Sequence, residues 1–186
     1  MCKKSDVVVL LSGGIDSTAC IPFYVNQDFS VTALFCDYGQ VSLSQELPAV
    51  TAIADFYNIE LNIVKCDGLP QINGGEIVSR NALLLNLALF FIQKKPALLA
   101  LGIHSGTHYI DCGELFLTKM QSIFDLYTDG RVIITAPFIS WTKKEIWDYC
   151  IFEKAPLNLT YSCELGKKQP CGVCSSCKDL EVLYAG

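Results

Sequence analysis

Val7-Val8-Val9-Leu10-Leu11-Ser12-Gly13-Gly14-Ile15-Asp16-Ser17-Thr18 carries the first structural signal in this chain. Residues 7–11 are a continuous apolar run rich in β-branched side chains, which suits a strand buried on both faces. The run breaks at Ser12-Gly13-Gly14 and a helical stretch follows over about residues 17–26, so the first unit reads strand, glycine turn, helix. At such a junction the first backbone N–H groups of the helix have no intrahelical partner and point at whatever occupies the turn. Two glycines let the main chain approach an anion with no Cβ in the way, and the hydroxyls of Ser12, Ser17 and Thr18 add donors that match phosphate oxygens. Asp16 would repel bare phosphate; it makes sense where a divalent cation accompanies a nucleotide, with Asp16 binding or orienting Mg2+. The alternative is an ordinary βα turn whose glycines relieve crowding and whose polar residues cap a helix. The whole heptad after a five-residue strand favours a pyrophosphate cradle formed by Leu11, Ser12, Gly13, Gly14, Ile15, Asp16, Ser17 and Thr18. It is neither a Walker A loop nor a GxGxxG turn.

The same alternation continues outward. Residues 31–36 read as a second strand ending at Asp37-Tyr38-Gly39-Gln40, residues 47–57 as a helix with Pro48 in its first turn, and residues 61–64 as a third strand. Residues 81–92 form a long apolar helix, 97–103 a fourth strand, 114–125 another helix and 132–135 a fifth strand. A last helix over residues 142–150 opens on Thr142 as N-cap, with Glu145 as its capping-box partner. This pattern predicts an α/β fold, a doubly wound parallel sheet wrapped by helices. After Ser162 it gives way to a short, loop-rich cysteine module, so residues 1–161 read as the α/β unit and 162–186 as a module packed on the same core.

With 186 residues, 51% hydrophobic and 18% charged, the chain can bury a real core, which excludes a disordered or fibrous protein. A net charge of -5 gives no general attraction to nucleic acid or anionic lipid, so neither is an expected partner. The apolar stretch over residues 82–92 is too short for the ~20 residues of a membrane span, and Lys94 and Lys95 interrupt it. With no signal-like start, the expectation is a cytoplasmic protein.

Of ten cysteines, six (Cys2, Cys20, Cys36, Cys66, Cys112 and Cys150) are scattered, mostly in apolar contexts where a reduced thiol acts as a small hydrophobe. Cys163, Cys171, Cys174 and Cys177 cluster with the spacing C-x7-C-x2-C-x2-C. Short spacings that reverse the chain, one through Gly172, suit closed tetrahedral S4 coordination of a structural zinc. An Fe–S cluster also takes four cysteines, and a redox CxxC fits the motif less well.

Other candidates flank the turn in sequence order. Arg80 and Asn81 stand at a helix entry, where an Arg fork could reach a phosphate or carboxylate or remain solvated. Lys143, in the first turn of the last helix, opposes the helix dipole, and a bound phosphate would remove that conflict. His104 and His108 follow the fourth strand, either beside a ligand or on the surface. Trp141, Trp147 and Phe90-Phe91 read as packing residues rather than base-stacking platforms.

The heptad is similar to the SGGxDS signature of the ATP pyrophosphatases, which cleave ATP between the α and β phosphates and transfer AMP to an acceptor oxygen. Asp37-Tyr38-Gly39-Gln40, Ser79-Arg80-Asn81, Asp111-Cys112, Pro137, Thr142-Lys143-Lys144-Glu145-Ile146 and Ser162-Cys163 narrow the resemblance to the 7-cyano-7-deazaguanine synthase (QueC) family. The resemblance implies an ATP-dependent carbon–nitrogen ligase that turns 7-carboxy-7-deazaguanine and ammonia into the nitrile, with ATP, Mg2+ and Zn2+ as cofactors. It implies catalytic roles for Asp16, Lys143 and Arg80, and substrate contacts from Gln40, Asn81, His108, Asp111 and Glu114. A homodimer is compatible with it. The chain departs from the family where the base is read: Val78-Ser79 replaces Pro-Gly, the loop over residues 107–113 is short, and Leu115 stands where a Glu is expected. These departures leave open a paralogue that adenylates another carboxylate, or a non-catalytic nucleotide and zinc module. A tRNA-thiolating relative is a further alternative, against which the acidity of the chain argues.

Overall fold

The computed structural model describes residues 6–70, 72, 76–93, 95–104, 106 and 109–185. Strands β1 (Asp6–Leu10), β2 (Ser30–Asp37), β3 (Glu60–Lys65), β4 (Ala97–Leu101) and β5 (Val132–Thr135) pair in parallel in the order β3-β2-β1-β4-β5. The chain therefore winds outward from β1 to β3, returns past β1, and winds outward again through β4 and β5. The loops leaving β1 and β4 diverge, which opens a crevice at the carboxyl ends of these neighbours.

Period-two alternation divides the core. Val7 and Val9 of β1 point to the face covered by α1 (Ile15–Val25), α2 (Leu43–Tyr57) and α5 (Lys143–Phe152), where Ile21, Ile53, Ile146 and Cys150 are buried with them. Val8 and Leu10 point to the opposite face, under α3 (Arg80–Ile92) and α4 (Glu114–Thr128), among Leu85, Ala88, Met120 and Phe124. Central strands buried on both sides explain why β1 reads as an unbroken apolar run.

Element types agree with the sequence reading, while several ends move. Helix α1 begins at Ile15, so Asp16, Ser17 and Thr18 belong to its first turn. Helix α2 begins at Leu43, which places Pro48 in its interior. The proline is tolerated because the carbonyl it leaves unpaired belongs to Ser44, an exposed residue that water can reach. Strand β4 stops at Leu101 rather than at residue 103. The capping box of α5 forms as expected: Thr142 accepts from the Glu145 N–H, and Glu145 accepts from the Thr142 N–H at 2.7 Å. Phe90, expected to pack, lies on the outer side of α3 at 77% exposure.

The cysteine module is more ordered than a loop-rich reading predicts. It ends in α6 (Ser175–Ala185), which docks on α5 through Trp147 and Tyr184, their rings edge to face at 5.0 Å, and through Leu180 against the core. Gly166, at φ +65°, lies directly on the Val41 carbonyl, where no Cβ could be accommodated. No helix among the described residues is long and apolar enough to cross a membrane.

Candidate nucleotide cleft and thiolate cluster

A cleft of about 240 Å³ occupies the crevice at the carboxyl ends of β1, β2 and β4. The glycine turn forms its floor, Tyr38, Gln40 and Arg80 one side, Lys143 another, and residues 161–164 of the cysteine module the rim. In the turn Gly13 takes φ +83°, and the N-cap Gly14 offers no side chain to the helix. The first-turn N–H groups of α1 therefore stay available to a ligand. The Ser12 and Ser17 hydroxyls lie 3.1 Å apart, and Ser17 donates to the Gly14 carbonyl at 3.0 Å, which knits the turn into shape. Thr18 differs from expectation: it is fully buried and donates to the Gly14 carbonyl at 2.8 Å, so its hydroxyl holds the turn from behind.

Asp16 and Lys143, far apart in sequence, meet in the cleft. The Lys143 ammonium donates to both Asp16 carboxylate oxygens at 2.6 and 2.7 Å, and each side chain is about one-fifth exposed. Asp16 thus supplies a negative charge that offsets the conflict between Lys143 and the helix dipole. His104 completes the group, with Nε2 3.7 Å from Asp16 Oδ2. Its Nδ1 accepts the Gly106 N–H at 3.0 Å, which leaves the ring proton on Nε2, toward Asp16. Burial holds the His104 pKa below its ordinary value; Lys143 pushes the same way, and Asp16 and Asp179 oppose it. The open question of a surface His104 is settled by its 6% exposure.

Gly102 was not singled out in the sequence, although a glycine directly after a strand is a visible signal. A Cβ there would overlap the Asp16–Ser17 peptide, so the exit of β4 presses on the first turn of α1. Gly102→Ala is expected to cost about 1–3 kcal/mol by overpacking and to weaken nucleotide binding at the displaced turn. Thermal unfolding and an ATP titration check both effects.

Arg80 opens α3 and reaches the Tyr38 hydroxyl, while burial raises the Tyr38 pKa. Gln40 is committed to the protein: its amide N–H donates to Glu46 at 2.8 Å and to the Cys36 carbonyl at 3.2 Å, and its oxygen accepts the Tyr38 N–H. Asn81 and Asp111 are likewise bound to each other. The Asn81 N–H donates to Asp111 Oδ2, and its side-chain amide donates to the Asp111 carbonyl, both at 2.9 Å. Asp111 thereby caps α3 in place of Ser79. It does not line the cleft, and neither does Glu114, which is exposed at the start of α4. These two differ from the expected substrate contacts because the pairing that orients α3 uses one, and helix α4 carries the other outward. His108 lies outside the described residues.

The four terminal cysteines converge, their sulfurs all within 4.8 Å of one another. Cys171 and Cys177 Sγ are 3.8 Å apart, the separation of about 3.8 Å that Zn–S bonds of ~2.3 Å produce across a tetrahedron. The Cys174 N–H donates to the Cys171 sulfur at 3.4 Å, a contact that favours its thiolate. The donor set fits a closed structural metal site.

Fold and strand order together define an α/β protein with the ATP-pyrophosphatase fold. A 4-thiouridine synthetase solved with RNA and bound ATP shares this fold with a TM-score of 0.63 at 17% identity, over 97% of this chain and 50% of that one. The U34-tRNA thiolase NcsA of Methanococcus maripaludis, solved with its [4Fe-4S] cluster, shares it with a TM-score of 0.54 at 18% identity, over 98% and 66%. The family model of the queuosine biosynthesis protein QueC matches residues 6–79 and 75–182, and the chain belongs to that family. Relatives include the 7-cyano-7-deazaguanine synthases of Methanosphaerula palustris, 30% identical over 96% of this chain and 93% of its own length, and of Acetivibrio thermocellus, 30% identical over 91% and 88%.

Proposed function

We propose that this protein is an ATP-dependent carbon–nitrogen ligase that converts 7-carboxy-7-deazaguanine and ammonia to 7-cyano-7-deazaguanine. Family membership and the synthases among its relatives support the substrate class. The observation that carries the chemistry is one cleft holding both an uncapped helix N-terminus and the Asp16–Lys143 pair.

In the first stage a carboxylate oxygen attacks the α-phosphorus of ATP, and the bond from that phosphorus to the bridging pyrophosphate oxygen breaks. Ammonia then attacks the acyl carbon; AMP leaves with its oxygen, one proton goes to solvent, and an amide remains. In the second stage the amide oxygen attacks a second ATP in the same way. Loss of both amide protons and cleavage of the C–O bond give the nitrile and AMP. The α1 N–H groups and the Lys143 ammonium receive the charge that builds on departing pyrophosphate, so positioning and charge neutralisation carry the rate. In this reading Arg80, which lines the cleft, holds the acceptor carboxylate. Asp16 faces the cleft from the first turn of α1 and would hold Mg2+ brought in on the nucleotide; that ion would supply further neutralisation of the phosphates. A thiolation mechanism would draw on Cys112 or on the terminal cysteine cluster; of these, Cys112 is buried, and burial pushes its pKa up to about 11, which disfavours it as the nucleophile.

The test is incubation with ATP, ammonium and 7-carboxy-7-deazaguanine, following AMP, pyrophosphate and nitrile. Acceptor-dependent AMP formation at two AMP per nitrile is expected. ATP binding without acceptor-dependent turnover would make the protein a divergent paralogue with a different acceptor.

A further inference from the structure

We propose that Glu164, on the rim supplied by the cysteine module, determines acceptor specificity by accepting the adjacent N–H donors of a 2-amino-4-oxopyrimidine edge. The inference rests on the proposed function for the identity of the acceptor, but its residue assignment comes from the cleft. Asp111 and Glu114, the acids expected at the base, lie outside the cleft lining. Three carboxylates line it: Asp16, Glu46 and Glu164. Asp16 is bonded through both oxygens to Lys143. Glu46 accepts from Ser42 at 2.6 Å on one oxygen and from Gln40 at 2.8 Å on the other.

Glu164 is different. Its Oε1 accepts from the Ser175 hydroxyl at 2.7 Å, the Ser176 hydroxyl at 2.8 Å and the Ser176 N–H at 3.2 Å. Oε2 receives no hydrogen bond from the described residues; the Arg80 guanidinium, across the same cleft, acts on the carboxylate at longer range than an ion pair. Three donors on Oε1 anchor the carboxylate at the start of α6 and leave its other oxygen without a donor among the described residues.

An open carboxylate oxygen at a site for ATP and an organic acid disfavours both ligands; with Arg80 engaged by the acceptor carboxylate, N–H donors on a ligand are what offset it. Adenine offers an amino group beside a ring-nitrogen lone pair, which a carboxylate repels. A guanine-type edge offers a ring N–H and an amino group side by side. The chemistry thus favours the acceptor over the nucleotide. A polar pocket group left unpaired by an analogue lacking its partner gives strong discrimination, which makes Glu164 a gate on acceptor identity.

Glu164→Gln keeps an oxygen for the α6 serines but turns an amide donor toward the ligand. The expected result is a rise of at least 30-fold in KM for 7-carboxy-7-deazaguanine, with ATP affinity within twofold and metal content unchanged. Wild type should prefer this acceptor over its analogue lacking the 2-amino group by at least 30-fold, and the variant by less than threefold. An unchanged acceptor KM, or an equal loss of ATP affinity, overturns the assignment. If wild type forms no AMP with this acid, the proposed function fails, and Glu164 is judged by direct titration of 7-deazaguanine and 7-deazahypoxanthine into protein loaded with a non-hydrolysable ATP analogue. A Glu164-dependent preference for the amino-bearing base then supports the assignment, and its absence overturns it.

Discussion

Lys143→Met is expected to lower acceptor-dependent AMP formation by roughly 10²–10³-fold, the scale set by removing one preorganised group that stabilises developing charge. Lys143 is held at the first position of α5 by the Thr142–Glu145 capping box, and its ammonium is already in the cleft. In the proposed reaction the lysine needs only to shift from the Asp16 oxygens to the departing pyrophosphate. Methionine keeps the length and apolar stem and removes the charge alone. The substitution also strands the Asp16 carboxylate, which is only one-fifth exposed, so the melting temperature should fall. Adding Asp16→Asn should recover much of the melting temperature and none of the turnover. Recovery of turnover in the double variant would show that Lys143 serves only to neutralise Asp16.

Loss of a metal from the four-cysteine cluster should act on binding. One zinc per chain is expected by elemental analysis, and its chelation should weaken ATP binding at least tenfold and lower the melting temperature. Structural zinc contributes on the order of 10–16 kcal/mol in small peptide modules, and here the four sulfurs join the loop at Cys163 to the start of α6. Apart from the cysteine cluster, the apolar contacts of the module among the described residues are mainly those of Leu180 and the Trp147–Tyr184 edge. Its entry segment is tied to the phosphate turn, because the Tyr161 N–H donates to the Gly13 carbonyl at 2.8 Å. Losing the metal frees that segment, and with it the conformation of Gly13 and the cleft rim. Cys174→Ser should reproduce the loss. Iron with visible absorbance would replace zinc in this account, and unchanged ATP affinity after chelation would sever the link between the two sites.

Sheet and turn were legible in the sequence because both rest on local physics. A strand buried on two faces must be continuously apolar, and a backbone that bends around an anion needs residues such as Gly13, which takes φ +83°. The metal cluster was legible for the same reason: Cys171, Cys174 and Cys177 are brought together by short spacings that do not depend on the rest of the fold. Element ends were less legible. Pro48 suggested a helix start, yet its unpaired carbonyl partner faces water and α2 runs straight through it.

What the tertiary structure alone decided is which polar groups are already taken. Asp16 and Lys143 are separated by most of the chain, and only the packing of α5 against α1 makes them an ion pair. Gln40, Asn81, Asp111 and Glu114 carry side chains suited to a ligand, but hydrogen bonds within the protein engage the first three and helix α4 turns the fourth to solvent. Glu164 drew no notice beside its cysteine, and it becomes an anchored carboxylate at the cleft because α6 brings Ser175 and Ser176 to one of its oxygens. Local sequence specifies backbone shape through steric and apolar patterning over a few residues. The availability of a side chain to a ligand depends on partners that arrive from elsewhere in the chain, so it exists only once the fold is complete.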